Sequence, residues 1–110
     1  MDTPALRRQL QIKAGVAKRI AKEQKIYRDE VEELRRKTDK LAAEGAEEWD
    51  IKNGNRMTEE SEKMVKDANV RLGKAVGELR DLVNAAKKDP ALAEDEALLK
   101  AEEALEEASI

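Results

Sequence analysis

Residues 12–30 read IKAGVAKRIAKEQKIYRDE and combine two apolar rows with a cluster of positive charge. Within this segment and on both sides of it, side chains recur at alternating steps of four and three residues, the spacing of a coiled-coil seam. The seam consists of Leu6, Leu10, Lys13, Ala17, Ile20, Gln24, Tyr27, Val31, Leu34, Thr38 and Leu41. This pattern predicts one long helix that packs along its length against a second helix.

A second row lies beside the seam and is apolar only up to Ile26. The row consists of Ile12, Val16, Arg19, Glu23 and Ile26. The first half of the helix therefore has two sides to bury, and we expect a third helix to cover Ile12, Val16 and Ile26. On the opposite face, Lys18, Lys22 and Lys25 form a basic stripe with the same spacing.

The composition favours long helices and provides few of the side chains that catalysis or metal binding requires. Of 110 residues, 43% are charged and 2% are aromatic, and there is no cysteine or histidine. Disulfides, thiolate nucleophiles, imidazole bases and the commonest zinc ligands are thereby excluded. Because no catalytic motif is present either, we expect no enzymatic activity, no cofactor and no metal. The sequence also lacks an apolar run long enough for a membrane span or a signal peptide, so we expect a cytoplasmic protein.

Charge is distributed unevenly along the chain. Residues 1–28 carry eight basic and two acidic side chains, whereas residues 89–110 carry one and eight. We expect these two ends to attract each other. The acidic total and the lack of stacking aromatic side chains argue against a nucleic-acid partner.

We expect one all-α domain over residues 1–110, a three-helix bundle in which a long antiparallel coiled-coil hairpin is joined by a shorter third helix. Thr3 with Pro4, then Asp50, and then Asp89 with Pro90 are the predicted helix starts, since these residues favour caps and first turns. The predicted helices span about 4–43, 50–87 and 90–108.

The second helix repeats the seam spacing. If the hairpin is centred near residue 46, opposite seam positions have numbers that add up to about 92. The weak part is Asn53 and Gly54, which are poor helix formers. We still expect the helix to start near Asp50, because Ile51 remains in phase with the later seam. The predicted pairs are Leu41 with Ile51, Tyr27 with Val65, Ile20 with Leu72 and Leu10 with Leu82.

Three short segments of the chain occur with a specific spacing. The first contains Ile12-Lys13, Lys18-Arg19-Ile20, Lys22-Glu23, Tyr27 and Glu30. The second is Trp49-Asp50-Ile51-Lys52, and the third contains Glu60-Ser61, Met64, Asp67, Arg71 and Leu72. Together these segments resemble the tubulin-binding cofactor A family, and the resemblance covers residues 6 to about 83 without a gap. A proline typical of the family is replaced by Lys66, so we expect a straighter second helix.

This resemblance implies a non-catalytic chaperone that binds β-tubulin released from the cytosolic chaperonin and passes it towards heterodimer assembly. It also implies association with the cytoskeleton. From the self-closing bundle we expect a monomer, with a dimer as the alternative, and from the composition neither a nucleic-acid nor a membrane partner. The β-tubulin-binding residues expected on this basis are Lys13, Lys18, Arg19, Lys22, Glu23, Tyr27, Asp50, Lys52, Glu60, Ser61, Met64 and Asp67. An alternative function is a structural coiled-coil adaptor or dimerisation module, in which an exposed seam would pair with a second copy.

Overall fold

The computed structural model describes residues 1–108, which form an all-α fold without a β-strand. Helix α1 spans Thr3–Ala43, helix α2 spans Glu48–Lys87 and helix α3 spans Glu96–Ala108. A short 3₁₀ turn, Pro90–Leu92, lies between α2 and α3. The predicted fold class, two long helices followed by a shorter third helix, is confirmed.

The cap of α1 differs from the prediction by one residue. Asp2 Oδ1 accepts a hydrogen bond from the Ala5 amide at 2.8 Å, and the Asp2 carbonyl accepts one from the Leu6 amide. Asp2 is therefore the N-cap, since its carboxylate satisfies an amide that the first helical turn leaves unpaired. The prediction of Thr3 as the cap is wrong, because the Thr3 hydroxyl instead bonds to Asp89.

The hairpin loop is set by a glycine. Gly45 has a φ of 74°, a left-handed conformation that costs glycine little. The Ala46 amide bonds to the Leu41 carbonyl and the Gly45 amide bonds to the Ala42 carbonyl, which is the Schellman arrangement at a helix end. Helix α1 therefore ends at Ala43 as predicted.

Helix α2 begins two residues before the predicted start. The Glu47 carbonyl accepts from the Asp50 and Ile51 amides, so the helical hydrogen bonds already include Glu48. The prediction of Asp50 as the N-cap is wrong, and Asp50 instead lies in the first turn together with Glu48. Negative side chains at this position favour helix formation, because they face the positive end of the helix dipole.

The described chain divides into two compact units. The three-helix unit contains Met1–Lys22 and the chain from Val70 onwards, and the two-helix unit contains Glu23–Asn69. In the three-helix unit, Leu10, Leu79 and Leu92 are fully buried. Most of the remaining core consists of alanine: Ala14, Ala17, Ala75, Ala86, Ala97, Ala101 and Ala104. Small side chains at these contacts allow the helices of this unit to approach closely.

Helix α3 does not pack on the flank of α1 that the sequence predicts, but on the opposite flank. In the three-helix unit, Arg7, Ala14 and Lys18 of α1 line a cleft with residues of α3, and Ala14 is buried. Ile12 lies on the far flank and is 48% exposed. In the two-helix unit, Ile26 is 56% exposed. The prediction that helix 3 covers the row of Ile12, Val16 and Ile26 is therefore wrong, although Val16 is half-buried against the core.

The third helix also starts later than predicted. Asp89 accepts from the Ala91 amide and caps only the 3₁₀ turn, which buries Leu92 completely. Asp95 Oδ1 then accepts from the Ala97 amide at 2.9 Å and caps α3. The predicted helix over 90–108 is thus divided in two, because the second capping aspartate starts a new helix.

Polar contacts hold the chain around α3 against the start of α1 in the three-helix unit. The Thr3 hydroxyl donates to Asp89 Oδ2 at 2.6 Å, and Arg7 Nε donates to Asp95 Oδ2 at 2.9 Å. The hydrogen bond from Thr3 lowers the pKa of Asp89. The Ala97 amide and then Arg7 lower the pKa of Asp95.

In the three-helix unit, the seam residue Lys13 forms an ion pair with Glu78. Lys13 Nζ donates to Glu78 Oε2 at 3.0 Å, and this hydrogen bond and the Lys13 charge lower the pKa of Glu78. Lys13 is half-buried, as expected for a seam lysine whose charged end reaches the surface.

Acid should weaken the three-helix unit through these carboxylates. Their pKa values are lower in the folded chain than in the unfolded chain, so folding favours the ionised form. Their contribution is complete above the unfolded values near pH 4 and is lost as the pH falls through the lowered folded values. We expect Asp95→Asn to lower the melting temperature at pH 7 and to flatten its decline between about pH 5 and 2.

A matched control for this experiment is Glu94→Gln, which removes an exposed neighbouring carboxylate that forms no ion pair within residues 1–108. We expect this variant to keep the parental pH profile. If thermal melts of the Asp95→Asn variant decline with acid as steeply as those of the parent, the Asp95 contact does not contribute to acid sensitivity.

The two-helix unit places Thr38 directly against Gly54. A Cβ atom at Gly54 would overlap Thr38 Oγ1 and would lie 3.1 Å from Thr38 Cγ2. The two numbers add up to 92, which confirms the predicted register in this unit. Residues 53–56, the weak part of the predicted helix, are helical, and Thr58 donates to the Gly54 carbonyl.

We expect Gly54→Ala to destabilise the protein, because Thr38 is buried and its branched side chain has little freedom to move. Overpacking of this kind costs about 1–3 kcal/mol, which exceeds the gain in helix propensity of about 1 kcal/mol. The control is Gly15→Ala, also within a helix but with nothing near its Cβ position, and it should be stabilising. Urea denaturation of both variants tests this prediction, and equal gains in stability would contradict the close contact.

Candidate functional site

The two-helix unit has two different flanks on either side of its seam. One flank holds the residues that directly follow seam positions. Arg28, Glu32 and Arg35 of α1 line a groove there with Glu62 and Lys66 of α2. Arg35 and Glu62 form an ion pair across this groove. This flank is therefore polar and carries both signs of charge.

The opposite flank holds the residues that directly precede seam positions. A helix turns by about 100° per residue, so the residue before a seam position points away from the residue after it. Because the paired helices run in opposite directions, the preceding residues of both helices point to the same flank. Ile26 precedes Tyr27, Met57 precedes Thr58 and Met64 precedes Val65.

This second flank is apolar and open. Ile26, Met57 and Met64 are 56%, 44% and 45% exposed, respectively. Glu33 and Lys37 share the same helical spacing and pair with each other. Four further carboxylates accompany the apolar residues: Glu23, Glu30, Glu60 and Asp67. We call these three apolar residues and four carboxylates the open face. It combines exposed apolar side chains with acidic ones, which is typical of a surface that binds another protein.

Four of the predicted partner-binding residues belong to the open face: Glu23, Glu60, Met64 and Asp67. Met64 is the apolar residue among them, and Glu60 and Asp67 are exposed within one helical turn of it. The structure thus brings these four positions together on one flank of the two-helix unit.

Other predicted site residues of the two-helix unit lie elsewhere. Tyr27 and Ser61 are half-buried seam positions. Asp50 lies half-buried in the first turn of α2, and the exposed Lys52 forms an ion pair with Glu48 at 3.1 Å. These residues support or flank the hairpin and do not contribute to the centre of the open face.

Four predicted site residues lie in the three-helix unit. Lys13 is occupied by its ion pair with Glu78. Lys18, Arg19 and Lys22 are exposed, and Lys18 lies on the flank that carries α3. The expected basic stripe is therefore accessible at Lys18 and Lys22, which belong to the three-helix unit.

Sequence reasoning missed Ile26 and Met57 as surface residues. Ile26 was assigned to a buried row, and Met57 was not singled out. Both lie one residue before a seam position, in phase with Met64. That phase is a signal in the sequence, but by itself it does not determine whether the row is buried or exposed.

Residues 1–108 contain no group of three or more acidic side chains placed to hold a metal ion. Within the same residues, no helix is both long and apolar enough to cross a bilayer. The features that the described chain does present are a polar flank with both signs of charge and an open face with exposed apolar and acidic side chains, both on the helical hairpin of the two-helix unit. Together, these features define an all-helical domain with two long helices and a shorter third helix.

Comparison with known proteins identifies which domain of this class it is. The profile of the family described as tubulin binding cofactor A matches residues 5–105. Tubulin-specific chaperone A of Rattus norvegicus is 36% identical over 80 residues, covering 73% of this chain and 74% of the relative.

Two solved structures agree with the fold. The crystal structure of tubulin folding cofactor A from Arabidopsis thaliana superposes with a TM-score of 0.90 at 28% identity and covers 96% of each chain. The human tubulin chaperone cofactor A superposes with a TM-score of 0.82 at 30% identity, covering 96% of this chain and 99% of the other. The chain belongs to the tubulin-binding cofactor A family.

Proposed function

We propose that this protein is a non-catalytic tubulin-folding cofactor that binds β-tubulin after its release from the chaperonin and passes it to heterodimer assembly in the cytoplasm. Membership of the tubulin-binding cofactor A family supports this function. The similarity to relatives named tubulin-specific chaperone A supports it as well.

The observation that carries the proposal is the open face of the two-helix unit. Ile26, Met57 and Met64 expose apolar surface on a helical hairpin whose seam already buries Val31 and Ala68. Their apolar area is therefore available to a partner. Methionine is unbranched and polarisable, so it adapts to an irregular partner surface.

This arrangement suits a carrier better than a permanent subunit. The exposed apolar side chains are few, and carboxylates surround them on both helices. A small apolar contact with a polar border is typical of interfaces that form and separate, whereas permanent interfaces are larger and more hydrophobic. A protein that passes on its partner needs such a reversible contact.

Substitution of two apolar residues of the open face tests this function. We expect Ile26→Ser with Met64→Ser to weaken capture of purified β-tubulin by at least about tenfold, because buried apolar side chains at the centre of an interface provide much of its affinity. The matched control is Val70→Ser with Leu99→Ser, which replaces two other exposed apolar residues, 74% and 54% exposed, in the three-helix unit. The control should bind as the parent does.

Thermal melts should be recorded for both double variants, so that a loss of folding is distinguished from a loss of binding. If neither pair affects capture while Lys18→Glu with Lys22→Glu abolishes it, the basic side chains of the three-helix unit bind β-tubulin instead. If the parent does not capture β-tubulin at all, the proposed function is wrong.

A further inference from the structure

The charged residues of the open face are all carboxylates. On α1, Glu30 lies four residues after Ile26, and on α2, Glu60 and Asp67 lie four residues before and three residues after Met64. Residues at these spacings are neighbours on a helix surface, with Cβ atoms about 5–6 Å apart. Each exposed apolar side chain therefore has a carboxylate one turn away on the same flank.

These carboxylates are not neutralised by the protein itself. Glu30, Glu60 and Asp67 are all exposed, and none of the three forms an ion pair in the part of the chain that the structure describes. Some other carboxylates of the two long helices are paired. Arg35 neutralises Glu62, Arg36 neutralises Glu32 and Lys37 neutralises Glu33.

The contrast with the other flank shows that the acidity is local. The groove on that flank contains Arg28, Arg35 and Lys66 together with Glu32 and Glu62, so its charges nearly balance. On the flank of the open face, Lys37 also precedes a seam position but is paired with Glu33, so carboxylates remain in excess next to Ile26 and Met64. An unneutralised cluster next to apolar side chains attracts a segment that carries positive charge beside its own apolar residues.

We propose that the open face docks a basic amphipathic helix, whose apolar side chains contact Ile26 and Met64 and whose lysine or arginine side chains pair with Glu30, Glu60 and Asp67. This inference rests on the proposed function, and it identifies the part of the partner that is recognised. A helix laid along a hairpin matches the spacing of Met57 and Met64, which lie seven residues apart on one side of α2.

A second copy of this chain is a poor occupant of the same face. A symmetric dimer would place the open face of one copy against that of the other. Glu30, Glu60 and Asp67 would then meet the same carboxylates of the partner copy, and like charges brought together oppose association. The charge of the face therefore favours a basic partner over self-association.

A designed peptide tests the docking directly. The probe is a fluorescein-labelled helical peptide of about 18 residues, long enough for about five helical turns, with leucines at coiled-coil spacing flanked by lysines. A second peptide carries glutamates in place of the lysines. Fluorescence anisotropy at several salt concentrations should show that the full-length protein binds the lysine peptide at least about tenfold more tightly than the glutamate peptide, with a preference that falls as salt rises.

Charge reversal on the open face should make the protein prefer the glutamate peptide to the lysine peptide. We expect Glu30→Lys with Glu60→Lys to lose binding of the lysine peptide by at least about tenfold and to gain binding of the glutamate peptide. The control is Glu103→Lys with Glu107→Lys, two exposed glutamates of α3. Both pairs change the formal net charge by four units from −3, so they differ only in the location of the charge.

The outcomes separate the two proposals. If the two pairs of variants bind the lysine peptide equally, net charge and not the open face governs binding, and the docking inference is overturned. Sedimentation of the parent as a stable dimer that Glu30→Lys with Glu60→Lys disrupts would also overturn it, because the occupant would then be a second copy.

The same variants in a β-tubulin capture assay complete the test. Loss of capture by the open-face pair and not by the α3 pair supports the docking inference. If the parent captures β-tubulin and both pairs do so equally well, the inference fails and the proposed function stands. If no chain captures β-tubulin, the proposed function fails, and the peptide measurement alone decides whether the open face binds a basic helix.

Discussion

Close packing of helices across alanine and glycine is the constraint on which the rest of the structure depends. The chain has few large apolar side chains to bury, and the fully buried ones in the described residues are three leucines. Dispersion contacts fall off steeply with distance, so a core of small side chains is stable only if the helix backbones come close together. In the two-helix unit the same constraint appears as the contact between Gly54 and Thr38.

This constraint also explains how α3 is held. Its buried residues are mostly alanines, so apolar contact alone gives it a weak preference for one position. Hydrogen bonds from Thr3 to Asp89 and from Arg7 to Asp95 supply directional contacts at its N-terminal end. The attraction expected between the basic and acidic ends of the chain is thus concentrated in one ion pair to Arg7, and most of the acidic side chains of α3 remain exposed.

The sequence predicts the helices, their order and the register of the hairpin, because heptad spacing determines which side of a helix meets its partner. It predicts the flank taken by α3 poorly. Two rows compete there, and the row with Ile12 and Ile26 has the larger side chains. The structure instead buries Ala14, because a flat alanine surface lets α3 approach closely while isoleucine would hold it away. Hydropathy alone therefore predicts burial of the wrong row, the one with Ile12 and Ile26, in place of the row with Ala14.

The capping residues show the same limit on a smaller scale. Asp89 and Asp95 are both good caps, and periodicity does not determine which of them begins the helix. The open face can be predicted only in part, because periodicity shows which residues share a side of a helix but not whether that side is buried. The family resemblance indicates Glu60, Met64 and Asp67, whereas the apolar side chain of Ile26 suggests burial and its exposure is seen only in the structure.

The exposed methionines of the open face, unlike Ile26, can be oxidised. Oxidants convert a thioether to a sulfoxide, which is polar and is reduced again by dedicated enzymes. Met57 and Met64 are each nearly half exposed, so oxidation of their sulfur atoms requires no unfolding. A sulfoxide at either position would place a polar oxygen on apolar surface while leaving the helical seam intact. Oxidative conditions can therefore alter this surface reversibly without altering the fold that presents it.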